Sequence, residues 1–307
     1  MSIRRVVRRQ RVRDAETRRT HSQRGVGQGT TGRRLRVVSG ALLLALLLGA
    51  TPASAAVWGD DRPAVPPWAK AWAKAAPWPP GAPPAPVVGE IPAGGNFPLL
   101  APGSPLPSGE ECAARVQRDA WEPRPQNARA NSTRPQGPAP YGMGTWFTAA
   151  ADGAAYRGRV DGNFTGTTDE IIQWASCKWG FPTDLNRAQA VTETTWRQSF
   201  IGDAGQSFGL YQMKRTVWGG HPNSEVSTAF VADWAMGLRR ACYEGAMWYP
   251  QLRGNLDACV GVHFSGDPAE ATWRAYVDEV RRYERDKPWL SWPSPAGGTP
   301  PTATRGG

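Results

Sequence analysis

The sequence is poor in histidine and cysteine, the side chains that most often bind transition metals in proteins. It contains three histidines and four cysteines in 307 residues. His21, His221 and His263 show no metal-ligand spacing, and there is no Cys-x-x-Cys pair. The sequence therefore predicts no metal site and no bound cofactor.

The chain also lacks a hydrophobic run long enough to cross a bilayer. The main apolar run, Val37 to Ala50, has about 14 residues, whereas a spanning helix needs about 20. Twelve arginines precede this run, and the small residues Ala53-Ser54-Ala55 follow it. This order predicts a signal peptide over residues 1–55, with an uncleaved anchor as the alternative. Arg33-Arg34 leaves open whether export follows the general or the twin-arginine route.

Outside this segment the chain has no excess of positive charge. The net charge of +10 equals that of residues 1–36, which leaves 24 basic and 24 acidic residues in the exported part. The high isoelectric point is therefore no evidence for nucleic-acid binding, and we predict no nucleic-acid partner. We expect a secreted monomer that is extracellular or cell-wall associated and meets the membrane only during export.

The four cysteines, Cys112, Cys177, Cys242 and Cys259, all follow the predicted cleavage site. An even number of cysteines in an oxidising compartment predicts two disulfides, for which three connectivities are possible. The alternative is a cysteine peptidase in which Cys177 is the nucleophile and His221 or His263 is the base.

Composition divides the exported chain into three parts. Fourteen prolines between Pro63 and Pro107 predict an extended linker over residues 56–108. Within it, Trp68 to Ala76 is either a short amphipathic helix or an accident of composition. Residues 109–293 have a globular composition. The tail, residues 294–307, is rich in Gly, Pro and Thr, which predicts disorder.

Helical signals dominate the globular part, and no strand-like alternation is present. Nine of the fifteen tryptophans lie between Trp174 and Trp292, which suits either core packing or stacking against sugars. We therefore predict a mainly α domain. Its helices are expected over "GEECAARVQRDAWEP" up to Pro123, after a cap at Thr167 or Thr168, from a cap at Thr183 through Trp196, from Asn223 or Ser224 to Glu244, from Leu256 to Phe264 and from Ala271 to Arg285.

One acidic residue, Glu193, lies near the end of the third of these helices. Val191 and Trp196 are close to it in sequence. Apolar surroundings raise the pKa of a carboxyl group, so that it can deliver a proton near neutral pH. Glu193 is therefore a candidate general acid, with an exposed surface carboxylate as the alternative.

Two stretches around this acid resemble a known family. "ETTW" begins at Glu193, and "SFGLYQM" follows from Ser207 to Met213. The pair resembles the soluble lytic transglycosylases and their lysozyme-like relatives, which show Glu-Ser-x-(Trp/Phe) and then Gly-Ala-x-Gly-Leu-Met-Gln. The resemblance extends over residues 167–289. The family's third motif, Ala-Tyr-Asn-Ala-Gly, departs here, because Val262 to Gly266 reads "VHFSG" and lacks the tyrosine and the asparagine.

The resemblance implies an α+β lysozyme-like fold and a peptidoglycan glycan strand as the partner. It implies that Glu193 cleaves the β-1,4 bond between N-acetylmuramic acid and N-acetylglucosamine as the single catalytic acid. The muramic 6-hydroxyl then closes a 1,6-anhydro ring. The substrate-binding residues that it implies are Trp196, Ser207, Gly209, Tyr211, Gln212, His263 and Tyr276.

Three alternatives remain open at this point. A muramidase would cleave the same bond with water, and Asp203 would then be the candidate second acid. The setting of Asp203, Gly-Asp-Ala-Gly, is however typical of a tight turn, which is the interpretation that it favours. A non-catalytic module would keep the fold and bind peptidoglycan without cleaving it.

Overall fold

A computed structural model describes residues 95–135, 153–247 and 249–301 of the chain. The predicted signal peptide and residues 56–94 of the predicted linker, including Trp68 to Ala76, lie outside these ranges. The described part is mainly α-helical with one small sheet. None of its helices is both long and apolar enough to cross a bilayer.

The described part contains nine α-helices and three strands. The helices are α1 (Gly109–Ala113), α2 (Ala128–Asn131), α3 (Ala154–Arg157), α4 (Thr168–Trp179), α5 (Thr183–Thr194), α6 (Asn223–Val226), α7 (Thr228–Tyr243), α8 (Leu256–Ser265) and α9 (Glu270–Asp286). The strands are β1 (Ile201–Gly202), β2 (Ser207–Phe208) and β3 (Met213–Lys214).

Helix α4 is the buried centre of the fold, and its ends match the local sequence signals. Thr167 accepts a hydrogen bond from the backbone of Glu170, whose side chain in turn accepts one from Thr167. Gly180 ends the helix with φ of 68°, and a Cβ there would lie 2.8 Å from Leu100. Helix α4 packs against α1, α5 and α7. The predicted start of this helix is therefore confirmed.

Helix α5 departs from its prediction at both ends. The Thr183 hydroxyl does not cap it but accepts a hydrogen bond from the backbone N–H of Phe97, at 3.0 Å. The helix stops at Thr194 because Thr195 and Trp196 adopt left-handed φ values of 55° and 64°. A left-handed conformation costs a non-glycine residue about 1 kcal/mol or more. The chain therefore turns sharply just after Glu193.

The predicted long helix after Asn223 is wrong, because it consists of two helices. Ser227 interrupts the run with an extended backbone and becomes the cap of α7. Its hydroxyl accepts a hydrogen bond from the Phe230 N–H and donates one to the Thr133 carbonyl. The first predicted helix is also shorter than expected, since α1 ends at Ala113.

The expectation that no strand is present is wrong. Strands β1, β2 and β3 form an antiparallel meander in that order, with Ile201 opposite Phe208 and Ser207 opposite Lys214. Each strand has only two residues, which is too short for an alternating pattern to show in the sequence.

Most described tryptophans serve the core. Five are fully buried, and Trp121, Trp218 and Trp273 are nearly so. The core interpretation therefore holds for these rings, and tryptophan content no longer argues for sugar binding. The five are Trp174, Trp179, Trp196, Trp234 and Trp289.

Residues 95–108, which were predicted to belong to the linker, pack on the helices. Phe97 is buried, and the N–H of Leu100 donates to the Gly180 carbonyl. The Arg240 guanidinium donates to the carbonyls of Leu100 and Ala101. The linker prediction is wrong for this stretch, because its backbone groups satisfy a helix end and a buried arginine.

The predicted disorder of the tail is likewise wrong for residues 294–301. The Ser294 hydroxyl accepts a hydrogen bond from the Glu122 N–H, and the Thr299 N–H donates to the Asp119 carboxylate. These bonds attach the start of the tail to the segment that precedes α4.

Two disulfides are present, as predicted. Cys112–Cys177 joins α1 to α4, and Cys242–Cys259 joins α7 to α8. They fit folding in an oxidising compartment. All four cysteines are paired, so the alternative in which Cys177 is a free nucleophile is wrong.

Candidate functional site

The site centres on Glu193 in the last turn of α5. The Tyr276 hydroxyl of α9 donates a hydrogen bond to Oε1 of Glu193, across 83 residues of sequence. His263 Nε2, from α8, lies 3.5 Å from the same oxygen. The Glu193 side chain is 13% exposed. The carboxyl group is therefore enclosed by three helices but still open to a ligand.

Burial raises the pKa of Glu193 to about 7. The hydrogen bond from Tyr276 and the charge of Arg239 lower this pKa, and the charge of Asp203 raises it. A carboxyl group with such a pKa is about half protonated at neutral pH, whereas an ordinary glutamate is almost fully ionised. Glu193 can therefore act as a proton donor at pH 7.

The two neighbours of this carboxyl group are both held neutral. Burial and the charge of Arg239 lower the pKa of His263 to about 4. Its Nε2 lies 2.8 Å from the Tyr211 carbonyl, which accepts and so identifies Nε2 as the protonated nitrogen. Burial and the adjacent carboxyl group raise the pKa of Tyr276 well above its usual value, so Tyr276 remains a donor. Gln189 Nε2 donates to the Tyr276 hydroxyl at 2.9 Å and orients it.

A buried arginine, Arg239 of α7, completes the electrostatics. Its side chain donates through Nη1 to Asn186 Oδ1, but Nε and Nη2 have no hydrogen-bond partner among the described residues. Burial lowers the pKa of Arg239 to about 10, so the group is still charged at pH 7. Arg239 and His263 border a cavity of about 10 Å³, which is room for one water molecule. The rest of its lining is Ala235, Leu238, Cys242, Met247, Cys259 and Val262.

Arg239 is not among the site residues predicted from the sequence. The available signal was the pair Arg239-Arg240 inside the apolar run of α7. A charged side chain is rarely buried there unless it is paired. Arg240 forms an ion pair with Glu244 and donates hydrogen bonds to the carbonyls of Leu100 and Ala101. Arg239 instead faces the acid and tyrosine groups of the site.

Trp196 and Tyr211 are corrections to the predicted substrate-binding set. Both side chains are fully buried. The Trp196 indole donates to the Arg187 carbonyl, and the Tyr211 hydroxyl donates to the Asn186 carbonyl. Because neither ring reaches the surface, neither can stack on a sugar. Both instead support α5, the helix that carries Glu193.

Ser207 and Gly209 have structural contacts in the hairpin, and their role in substrate binding remains a prediction. The buried Ser207 hydroxyl donates to Asp203 Oδ2 at 2.8 Å. Gly209 has φ of 76°, and a Cβ there would lie 2.3 Å from the Ser224 carbonyl oxygen, so only glycine fits. Ser207 is also the centre of the pattern Gly-x-Ser-x-Gly. It lies in a hairpin strand and not at a strand-to-helix turn, so the pattern is no nucleophile elbow.

The remaining predicted residues differ in how they relate to Glu193. His263 and Tyr276 contact it directly, whereas Gln212 donates from Nε2 to the carbonyls of Phe200 and Gly209 and holds the hairpin. Whether any of the three binds substrate remains a prediction.

Asp203 lies in the turn between β1 and β2, as its sequence setting predicts. It has φ of 48°, its carboxylate accepts a hydrogen bond from Ser207, and Lys214 Nζ is 3.2 Å away. Its negative charge contributes to the raised pKa of Glu193. Its role as a second acid remains a prediction.

Comparisons of the chain with protein-family models, curated proteins and solved structures find no match. Within residues 95–135, 153–247 and 249–301, no group of three or more His, Cys, Asp or Glu residues could hold a metal ion.

Proposed function

We propose that the protein is a secreted peptidoglycan-cleaving enzyme with a lysozyme-like domain, of the soluble lytic transglycosylase type. The observation that carries the proposal is the state of Glu193: a partly exposed carboxyl group whose pKa is raised to about 7 and whose Oε1 accepts a hydrogen bond from Tyr276. Strongly shifted carboxyl groups that remain open to a ligand are typical of general acids.

In the first step, protonated Glu193 gives its proton to the oxygen between N-acetylmuramic acid and N-acetylglucosamine, and the C1–O bond breaks. The contacts of Tyr276 and His263 both reach Oε1, which leaves Oε2 for the leaving oxygen. The Tyr276 hydrogen bond favours the carboxylate that this step produces. It therefore supports the transfer without replacing the acid.

In the second step, the Glu193 carboxylate takes the proton of the muramic 6-hydroxyl, whose oxygen bonds to C1. The product carries a 1,6-anhydro ring, and the enzyme regains its proton. No second carboxylate is needed, in contrast to most glycoside hydrolases. The Asp203 carboxylate already accepts a hydrogen bond from Ser207 and pairs with Lys214. These contacts support a scheme in which Asp203 is not a second catalytic acid.

The test is mass spectrometry of fragments that residues 56–307 release from isolated peptidoglycan. Wild type is expected to release anhydro ends, and Glu193→Gln to cleave about 10² to 10⁴ times more slowly, which is the usual contribution of a general acid. Asp203→Asn is the matched control and is expected to keep the anhydro product.

Other outcomes identify the alternatives. Reducing ends that disappear in Asp203→Asn would show hydrolysis by a muramidase with two acids. Retained binding to peptidoglycan without cleavage by wild type would show a non-catalytic module and contradict the proposed reaction. Equal cleavage by wild type and Glu193→Gln would exclude Glu193 as the acid.

Secretion is part of the same proposal, and the two disulfides support it. N-terminal sequencing of the protein from culture medium is expected to begin at Ala56. An intact N-terminus in the membrane fraction would instead indicate an uncleaved anchor.

A further inference from the structure

The most exposed large hydrophobic side chain in the described part of the chain lies beside the site. Phe264, in the last turn of α8, is 61% exposed. Its ring stacks on the ring of Tyr276, with centroids 4.8 Å apart and planes inclined by only 10°. One face of Phe264 is therefore covered, and its orientation is held by a buried partner.

This ring is connected to the candidate acid through a single residue. Tyr276 contacts Phe264 with its ring face and donates to Glu193 Oε1 with its hydroxyl. The residue before Phe264 is His263, which approaches the same oxygen. A molecule lying on the open face of Phe264 is therefore separated from the carboxyl group by two stacked rings, those of Phe264 and Tyr276.

The surroundings of Phe264 limit which kind of ligand can bind on its exposed ring face. The chain continues with Ser265, whose hydroxyl bonds to the Asp267 backbone, and with Gly266, which ends α8. Among the described residues of α8 and α9, Phe264 is the only exposed large hydrophobic side chain. A protein partner or a lipid surface needs a larger continuous apolar patch. The apolar face of one pyranose ring matches a single phenyl ring.

We propose that Phe264 is a sugar-binding platform, on which one N-acetylhexosamine of a β-1,4-linked glycan stacks while the glycan extends to Glu193. The inference rests on the proposed function and names a subsite for it. The resembling family has asparagine at this position of its third motif. This chain has phenylalanine there, whose ring can stack on a sugar face but cannot form the hydrogen bonds of an amide.

The test measures binding without cleavage. The full chain carrying Glu193→Gln is titrated calorimetrically with an N-acetylglucosamine tetramer. Adding Phe264→Ala is expected to weaken binding about fivefold to tenfold, because about one sugar face loses its apolar contact. Phe264→Leu should lose less, and Phe264→Trp should bind at least as well as the parent. Leu99→Ala removes an exposed apolar residue of the 95–108 segment and is expected to change nothing.

Kinetics separate a platform from a support for Tyr276. In the active protein, Phe264→Ala is expected to raise KM with kcat retained, since the acid and Tyr276 stay in position. A fall in kcat at unchanged KM would overturn the platform and assign Phe264 only to positioning Tyr276. Thermal unfolding should be close to that of the parent, and the leucine and tryptophan variants repeat the test if the alanine variant unfolds.

The two proposals fail separately. If the tetramer binds and Phe264→Ala weakens it while wild type cleaves no glycan, the platform stands and the proposed reaction fails. If wild type cleaves peptidoglycan but Phe264→Ala changes neither affinity nor KM, the reaction stands and the platform fails. Absence of any tetramer binding by Glu193→Gln also overturns the platform.

Discussion

Two acids, the fully buried Asp233 and the partly exposed Glu193, have opposite surroundings. Asp233 in α7 is fully buried, and its carboxylate accepts hydrogen bonds from Lys178 Nζ and the Trp179 indole. The backbone N–H groups of residues 161 and 162 donate to it as well. Among the described residues, Glu193 has one hydrogen-bond donor, Tyr276, and its pKa is raised to about 7.

The cations of the two regions differ in the same way. Lys178 Nζ lies 2.7 Å from the Asp233 carboxylate, so the two opposite charges form an ion pair inside the core. Arg239 has two nitrogens without a hydrogen-bond partner among the described residues, and burial lowers its pKa to about 10. Removing a carboxylate that is fully paired in the core leaves its partners unpaired and destabilises the fold, whereas a poorly paired carboxyl group keeps a proton that it can transfer. The comparison separates a fully paired acid, Asp233, from the proposed general acid, Glu193.

Replacing the fully paired acid should have the largest effect on stability. Asp233→Asn turns one acceptor into a donor that faces N–H groups and leaves Lys178 beside only the exposed Asp161. Loss of one member of a buried pair costs about 3–5 kcal/mol. Denaturant unfolding at pH 7 should show this loss for Asp233→Asn and little or no loss for Glu193→Gln. Equal losses would contradict the distinction.

Each of the two acids has a disulfide in its part of the fold. Removing a disulfide should cause the second-largest loss of stability. Cys112–Cys177 spans 65 residues, and Cys242–Cys259, which borders the cavity beside Arg239, spans 17. Chain entropy predicts losses of about 4 and about 3 kcal/mol for paired Cys→Ala variants. Thermal unfolding of the two double variants checks the order. A reversed order would show that native strain or denatured-state structure outweighs loop length.

The pH dependence of stability should distinguish the site groups by sign. The raised pKa of Glu193 means that the folded state binds more protons than the unfolded state between about pH 4.5 and 7, so stability falls as pH rises. The lowered pKa of His263 has the opposite effect between about pH 4 and 6.5. Wild-type stability minus that of Glu193→Gln should fall by about 1–3 kcal/mol from pH 4.5 to 7.5. The measurement is denaturant unfolding of both proteins at each pH. If the difference in their free energies of unfolding did not change with pH, the raised pKa of Glu193 would be contradicted.

The smallest effect should be a shift of the activity profile. Both Arg239 and the Tyr276 hydroxyl lower the pKa of Glu193. Arg239→Met and Tyr276→Phe should each move the basic limb of kcat/KM, which wild type shows near pH 7, to higher pH. Arg282→Met, on the exposed face of α9, should leave the limb unchanged. A shift to lower pH in Arg239→Met would contradict its assigned influence.

The helices followed from the sequence where local signals determined them. The capping pair Thr167 and Glu170 and the terminal Gly180 define α4 without distant partners. The predicted helix ends were wrong where a hydroxyl that was expected to have only a local role forms a hydrogen bond with a backbone group far away in the sequence. The Thr183 hydroxyl binds the backbone of Phe97, and Ser227 uses its hydroxyl to join Thr133. No local pattern encodes either contact.

The site was predictable only in part for a related reason. Spacing and motif resemblance selected Glu193, and the resemblance also selected Tyr276 and His263, which the fold brings to it. Trp196 looked like a ligand-binding aromatic because its burial depends on rings far away in sequence. The nearness of Arg239 to the acid follows from the packing of α7 and has no signature in spacing.

The core position of Trp196 also sets the limits of the folding unit. Its ring meets Trp121, from the segment before α4, at 5.8 Å, and Trp289 and Trp292, from the segment after α9, at 6.2 and 5.3 Å. Both flanking segments therefore close over the turn that directly follows Glu193. A recombinant fragment trimmed to residues 167–289 would lose two of these three rings. A transfer of this domain into another protein would have to include residues 95–299 as one piece.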